Sequence, residues 1–401
     1  MAREMVMTLF PEAQAFAQRG STPALRVRNL TKKYGNETVL SDISFSVEEG
    51  GSLVLLGPSG SGKSTTLRII AGLEAPDTGE VILRDKEVVN LRARQRNVGV
   101  IFQNYALFPE MTVAENIGFG LKIRGVRYKD RNRVIDELLG MIGLADQREK
   151  KPRHLSGGQQ QRVAIARALA YEPDVLLFDE SFSALDPHTR IGLRREIRQL
   201  LQKLRKPAIF ITHDQEEAME LGDQIAILNR GRIEQIGTPS EIYNDPQTEF
   251  VATFLGAANV LTGSWYYGLI RLENDYFLVP PREVHDAAMV EGERLKIIFR
   301  PEDVLLNSEL GVAESPYYLG EGEVADVTFS GAVESVTVKL LDSQPAPVAL
   351  QSIKPPEGRK SERDFIIKSI RSKWDARKMP LAKGARVAIA LKAHKVLRGD
   401  V

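Results

Sequence analysis

The 401-residue chain has no cysteine, and its 54 Lys and Arg against 53 Asp and Glu leave a net charge of only +1. Without thiols there are no disulfides and no thiolate metal sites, a composition that fits a reducing compartment. Without an excess of one sign there is no long-range field to gather nucleic acid, so DNA and RNA are not expected as partners. No apolar run approaches the roughly 18 residues that a membrane-crossing helix needs. The N-terminal stretch, broken by Glu4, Pro11 and Glu12, lacks the apolar core of a signal peptide. Any role at a membrane is therefore expected to run through a partner.

What remains is an ordinary globular composition, 43% hydrophobic and 27% charged, at a length that suits two domains. Residues 1–24 read as a leader with a short amphipathic helix through Met5, Leu9 and Phe16. Strand-like runs occupy 25–30, 38–40, 43–47, 52–56, 98–102, 175–178, 208–211 and 224–228, with helical stretches between several of them. That alternation predicts an α/β domain with a parallel-strand core over 25–250. From residue 251 short strands and turns dominate, at 295–299, 322–327, 335–340 and 386–391, which predicts a second, all-β domain of small-barrel type. Pro345, Pro347, Pro355 and Pro356 mark a loop inserted in it, within 344–378. Ile366, Ile370 and Trp374, spaced i, i+4, i+8 among basic residues, predict a helix after that loop. It either packs on the barrel or meets a partner or anionic lipid.

The chemistry begins at Gly57-Pro58-Ser59-Gly60-Ser61-Gly62-Lys63-Ser64, a match to G-x-x-x-x-G-K-[ST] between an apolar strand and a helix opening at Thr65. Glycines there let backbone N–H groups wrap phosphates, with Lys63 reaching the β/γ oxygens and Ser64 ligating Mg²⁺, the pattern of a P-loop. The strand at 175–178 ends in Asp179 and Glu180. A carboxylate there can hold Mg²⁺, and its neighbour can polarise an attacking water. Gln103 and His213 also come directly after buried strands, at the carboxyl edge where an open parallel sheet binds ligands, and each is by itself either a structural residue or a ligand contact. Tyr34 either stacks on a purine or is a hairpin aromatic. Residues 155–162, LSGGQQQR, set Ser156, Gly157, Gly158 and Gln159 at a helix start, a second anion-receptive corner.

This ordered set, with Ser183-Ala184-Leu185-Asp186, resembles the ATP-binding subunit of an ABC transporter over roughly residues 25–245. The resemblance implies a P-loop domain with an added antiparallel β and a helical subdomain, and the cofactors ATP and Mg²⁺. It assigns Glu180 as general base, His213 as the γ-phosphate contact, and Ser64, Gln103 and Asp179 to the metal. It also answers why one chain carries two anion corners. Two copies pack head to tail, Ser156–Gln159 capping the ATP held by the other copy's loop, with residues 183–186 crossing the seam. Ser181 departs from the usual proline after the glutamate, which is expected to loosen a turn and leave the chemistry intact.

The second half, through Phe299-Arg300-Pro301-Glu302-Asp303 and the 322–340 strand pair, resembles the regulatory barrel (OB- or TOBE-like) of bacterial importer ATPases. The resemblance implies a peripheral subunit on the cytoplasmic face of the inner membrane. Its partners would be integral permease subunits and, indirectly, an extracytoplasmic solute-binding protein. The expected receiving surface is 105–111, a segment with exposed-looking apolar residues. Residues 256–261 resemble the junction in sulfate and iron importer ATPases and favour an inorganic ion. A sugar or polyamine importer, or a soluble non-transport ABC ATPase, is the alternative.

Overall fold

The computed structural model describes residues 23–183, 185–272, 277–281, 289–306, 317–341 and 365–398, which divide into two compact units between Ile242 and Tyr243. The leader's helix, Ala184 and the proline-marked loop before 365 lie outside the described residues.

The first unit opens with β1 (Leu25–Tyr34) and β2 (Glu37–Val47), followed by β3 (Ser52–Leu56) and α1 (Lys63–Ala71). Next come β4 (Thr78–Leu83), β5 (Lys86–Glu87), β6 (Val98–Ile101), α2 (Val113–Ile123), α3 (Tyr128–Met141) and α4 (Gly157–Leu169). The unit closes with β7 (Val175–Asp179), α5 (Pro187–Leu204), β8 (Ala208–Thr212), α6 (Gln215–Leu221), β9 (Gln224–Asn229), β10 (Arg232–Gly237) and α7 (Pro239–Asn244), which runs across the division.

Two sheets result, an antiparallel one ordered β2-β1-β4-β5 and a six-stranded one ordered β10-β9-β3-β8-β7-β6. In the second, β3 pairs in parallel with both β8 and β9, and β7 pairs in parallel with β6 and β8. Strands flanked on both sides and covered on both faces must be apolar throughout. That is why Leu53–Leu56, Val175–Phe178 and Ala208–Ile211 read as continuous hydrophobic runs, and all of them are buried. One core cluster joins β1, β2 and β4 to α1 and to β3, β7, β8 and β9. The register sets Leu56 opposite Thr212, Asp179 opposite Ile211, and Ile101 opposite Phe178. The carboxyl ends of four strands therefore share one edge.

In the second unit, α8 (Glu249–Phe254) precedes β11 (Asn259–Tyr266), β12 (Leu269–Leu272), β13 (Phe277–Leu278), β14 (Arg294–Phe299) and β15 (Val304–Leu306). Then come β16 (Tyr318–Ser330), β17 (Val333–Leu340), β18 (Ile366–Ser372), α9 (Lys373–Lys378), β19 (Arg386–Leu391) and β20 (Lys395–Arg398). The sheets β13-β12-β11-β14-β20 and β15-β19-β16-β17-β18 share one apolar cluster, giving the all-β, nearly closed barrel that the alternating runs predict. Arg300, buried, donates to the carbonyls of Tyr243, Ala252 and Leu255 and so pins α8 and the segment before it to the barrel.

The helix predicted through Ile366, Ile370 and Trp374 is a correction. Residues 366–372 are a strand, and only 373–378 are helical. Positions four apart share a face in a strand as well as in a helix, so the isoleucine spacing did not discriminate. What masked the two-residue period is the polar inner face. Ile367, Ser369 and Arg371 are buried, Arg371 against Glu334 and Ser369 against the Val304 carbonyl, while Ile366 faces out. Ile367→Ala should therefore cost about 2–5 kcal/mol in the barrel's denaturant unfolding. Ile366→Ala, at a position 57% exposed, should cost less than about 1 kcal/mol. Equal costs would contradict the strand register.

Candidate functional site

At the shared strand edge, β3 runs into the glycine-rich loop and then α1. Gly62, the residue capping α1, sits at φ 104°, and a Cβ on it would meet Leu40 Cδ2 at 2.4 Å. At Gly57 a Cβ would meet the Leu228 carbonyl at 2.2 Å. At these two positions the loop passes too close to β9 and β2 for a side chain. α1 has no side-chain cap and no acid in its first turn, and its first intrahelical bond is Thr66 N–H to the Gly62 carbonyl (2.9 Å). The N–H groups of Lys63, Ser64 and Thr65 precede that bond and suit an anion. Lys63 folds back over the loop, its Nζ donating to the Gly57 and Pro58 carbonyls at 2.8 Å each. Burial holds its ammonium below the usual lysine range, with Glu180 and Asp179 opposing that fall. A desolvated cation over a cradle of N–H donors fits a polyphosphate.

Asp179, the last residue of β7, is raised above the ordinary carboxylate value by burial and by Glu180, against the pull of Arg68, Lys63 and a hydrogen bond from Ser64. Ser64 and Asp179 thus meet, as oxygen donors that suit a hard cation. Among the described residues no three His, Asp or Glu side chains converge on a self-sufficient metal site, so a cation here would draw further oxygens from nucleotide and water. Gln103 turns its amide to the Ser183 hydroxyl at 3.2 Å.

Glu180 has φ 44°, left-handed for a non-glycine residue. Such strain persists where neighbours over-determine it. Here the Glu180 N–H binds the Ile211 carbonyl (3.1 Å), and its own carbonyl accepts from the Ser183 N–H (3.2 Å) and hydroxyl (2.8 Å). Its carboxylate Oε1 lies 3.4 Å from His213 Nδ1. The turn after β7 and the turn after β8 therefore meet side chain to side chain. Tyr34, 46% exposed at the end of β1, hydrogen-bonds Glu74 and also Thr65 at the start of α1. It is at once a hairpin aromatic and a neighbour of the loop.

The second anion corner is narrower than the sequence suggests. Ser156 Oγ accepts from the Gln159 N–H (3.3 Å) and Gln159 Oε1 accepts from the Ser156 N–H (2.9 Å), a capping box that uses two of the donors. Gly157 is exposed. Gly158 is buried, where a Cβ would meet Thr189 at 3.3 Å. Ser181, the departure from proline, is buried and accepts from the Gln161 amide of α4 at 3.5 Å. It links β7 to that helix.

The segment 105–111 is less exposed than expected. Tyr105 is buried at 6%, Leu107 and Phe108 are half-buried, and the outward residues are Ala106, Pro109 and Glu110. Arg167 of α4 is the cause, donating to the Tyr105 (2.9 Å) and Ala106 (2.6 Å) carbonyls and holding both residues left-handed. Phe108 packs on Phe119 at 4.4 Å between ring centres, and Asn116 bonds both its N–H and its carbonyl.

A charged layer behind His213 is not legible in the motifs. Arg190, Arg194 and Arg198, four apart on α5, face Asp214 (3.5 Å), Glu220 (2.8 Å) and Asp223 (3.2 Å) in turn. The four-residue spacing is the one signal for it in the sequence, since it places all three on one helix face. Glu217 is buried beside them and accepts the Thr212 hydroxyl at 2.9 Å. Burial raises its carboxyl from 4.5 to about 7; Asp214 adds to the rise, while Thr212, Arg194 and Arg190 oppose it. The folded chain holds this proton more tightly than the unfolded chain. The stability so gained is full below about 4.5, and it drains away as pH rises through 7. The carboxylate's cost is then on the order of 3 kcal/mol. Glu217→Gln, which keeps an acceptor for Thr212, should flatten this loss and be more stable than the parent at pH 8. Denaturation at pH 5 and pH 8 measures it; the same difference between the two proteins at both pH values would contradict the buried-carboxyl account.

Comparison with known proteins adds the family. Residues 40–183 match the family model described as ABC transporter. The chain is 42% identical over 320 residues to the spermidine/putrescine import ATP-binding protein PotA of Haemophilus ducreyi, covering 79% of this chain and 85% of that protein. It is 44% identical over 270 residues to the sulfate/thiosulfate import ATP-binding protein CysA of Halalkalibacterium halodurans, covering 66% and 76%. To the CysA of Synechococcus elongatus it is 49% identical over 241 residues, covering 60% and 70%. With a parallel sheet presenting phosphate loop, acid pair and histidine at one edge, a capped LSGGQ helix and a C-terminal β-barrel, the chain belongs to the family of ATP-binding subunits of ABC importers.

Proposed function

We propose that two copies of this chain close head to tail on two ATP molecules and reopen on hydrolysis, driving permease subunits that import a small solute. The observation that carries this reading is the meeting of Glu180 and His213 beside the Ser64–Asp179 pair. The signature corner's polar side chains, by contrast, are partnered within their own turn. One chain thus holds a reacting edge and, on a different element, the cap for another.

In this reading the N–H groups of the loop and Lys63 bind the phosphates, and Tyr34 stacks on the base. Ser64 and Asp179, with Gln103 at the rim, would hold Mg²⁺, which supplies charge neutralisation across the phosphate oxygens. Glu180 takes the proton from the attacking water, and its strained backbone keeps the carboxylate aimed at His213, which donates to the γ-phosphate. Ser156 and the Gly157 and Gly158 N–H groups cap the partner copy's ATP, with residues 183–186 at the seam.

The chain would then sit on the cytoplasmic face of the membrane. Among its described residues no helix is long and apolar enough to cross one. The permease would dock beside Met111, in a groove of about 600 Å³ between α2 and α3 whose apolar floor includes Ala114, Phe119 and Ile135. PotA and CysA carry spermidine or putrescine and sulfate or thiosulfate in their names, so we assign a small charged solute, with the inorganic anion favoured by residues 256–261. Asn259 in that junction also bonds the Lys368 backbone at 2.8 Å twice, a purely structural use. Loss of sulfate uptake with spermidine uptake intact, in cells deleted for this chain, would assign the anion; the reverse would assign the polyamine.

Glu180→Gln should retain ATP binding, lower kcat by roughly a hundredfold or more, and accumulate as an ATP-bound dimer on size exclusion. Hydrolysis at the parental rate would exclude Glu180 as the base. Ser156→Arg should abolish turnover while ATP affinity of the isolated chain stays within about twofold; loss of that affinity would make the corner a contact to its own nucleotide.

A further inference from the structure

Around the reacting edge the contacts form a closed circuit. Gln103 donates to the Ser183 hydroxyl, Ser183 donates to the Glu180 carbonyl, and the Glu180 carboxylate meets His213. Next to His213 stands Asp214, whose carboxylate pairs with Arg190 at 3.5 Å. The same guanidinium returns to the start through Nη2, donating to the Leu185 (3.0 Å) and Ser183 (3.3 Å) carbonyls. One side chain therefore holds the loop after Glu180 and the turn at His213 at once, and none of the other contacts in the circuit does so from outside the reacting groups.

Asp214 is fixed for this purpose. Its Oδ1 caps α6 by accepting from the Glu217 N–H (3.1 Å), which leaves Oδ2 for Arg190. Asp214 N–H in turn binds the Thr212 hydroxyl, so the residues on both sides of His213 are held. The groups facing Arg190 are Asp214, Glu217 and the two carbonyls, with Arg194 one turn along. Arg190 Nε is buried without a hydrogen-bond partner. An ion pair that leaves a buried donor unsatisfied is a poor device for stability. Its two-armed reach is a good one for alignment.

We propose that Arg190 is a positioning residue for ATP hydrolysis, setting His213 and the Ser183 and Leu185 carbonyls in one fixed relation so that Glu180 faces its histidine. The inference rests on the reading of Glu180 and His213 given under the proposed function. A lysine has one head and cannot replace the fork.

The test is steady-state ATPase kinetics of the full chain, with thermal unfolding alongside. In Arg190→Met, kcat should fall roughly ten- to hundredfold, as misalignment of a reacting group does, with the ATP KM within about threefold. The Tm should stay within about 4 °C. Arg190→Lys should not restore kcat. Asp214→Asn keeps the helix cap and removes the charge; it should lose a similar factor, and the double variant should be no slower than the worse single one. A kcat for Arg190→Met within twofold of the parent, full recovery in Arg190→Lys, multiplicative losses in the double variant, or a loss that tracks Tm would each overturn the proposal. If Arg190→Met does not fold, the Asp214→Asn value alone decides. An unaltered chain that binds ATP without hydrolysing it would overturn the reading of the site itself, which separates the two failures.

Discussion

The register of three parallel strands is the constraint on which the site depends. Leu56 opposite Thr212 and Asp179 opposite Ile211 bring the ends of β3, β7 and β8 to one line. Each strand delivers its candidate site residues at or just beyond that line: the glycine-rich loop, Asp179 with Glu180, and His213. A slip of one residue would exchange the two buried faces of a strand and force every side chain into a space shaped for its neighbour, so close packing on both faces makes every such slip costly. The geometry of the site is thus held by hydrophobic burial several residues behind it, not by the polar groups in it.

On that frame the polar contacts decide orientation. Glu180 is kept left-handed by Ile211 and Ser183, and Tyr105 and Ala106 by Arg167. In both cases the element that imposes the strain is one that the motif set treats as separate. Arg167 lies on the signature helix and holds the segment after Gln103. Ser181, in the turn after β7, meets Gln161 on the same helix. The second anion corner is therefore mechanically tied to the first within each chain, although its polar side chains close on themselves.

The barrel shows a different economy. Its core is apolar, yet Arg300, Asn259 and Arg371 each reach inward to satisfy backbone carbonyls or an acid that the strand pattern leaves open. A buried charge survives because its partners are supplied in full by neighbouring segments. In β18 the inward Ser369 and Arg371 are what made the strand resemble a helix from its spacing alone.

Local sequence was sufficient wherever one short stretch carries its own physics. Apolar runs identified the parallel strands, and with them the sheet edge at which the glycine loop before Lys63 and the acids Asp179 and Glu180 stand. It was insufficient where meaning depends on a distant partner. Arg190 is one arginine among many until Asp214, Ser183 and Leu185 converge on it. Glu217 is an ordinary helical acid until burial raises it, and Tyr105 is an exposed-looking aromatic until Arg167 turns it inward. Periodicity and turn chemistry are properties of neighbours along the chain. Desolvation, ion pairing and backbone strain are properties of neighbours in space, and only the folded chain supplies those.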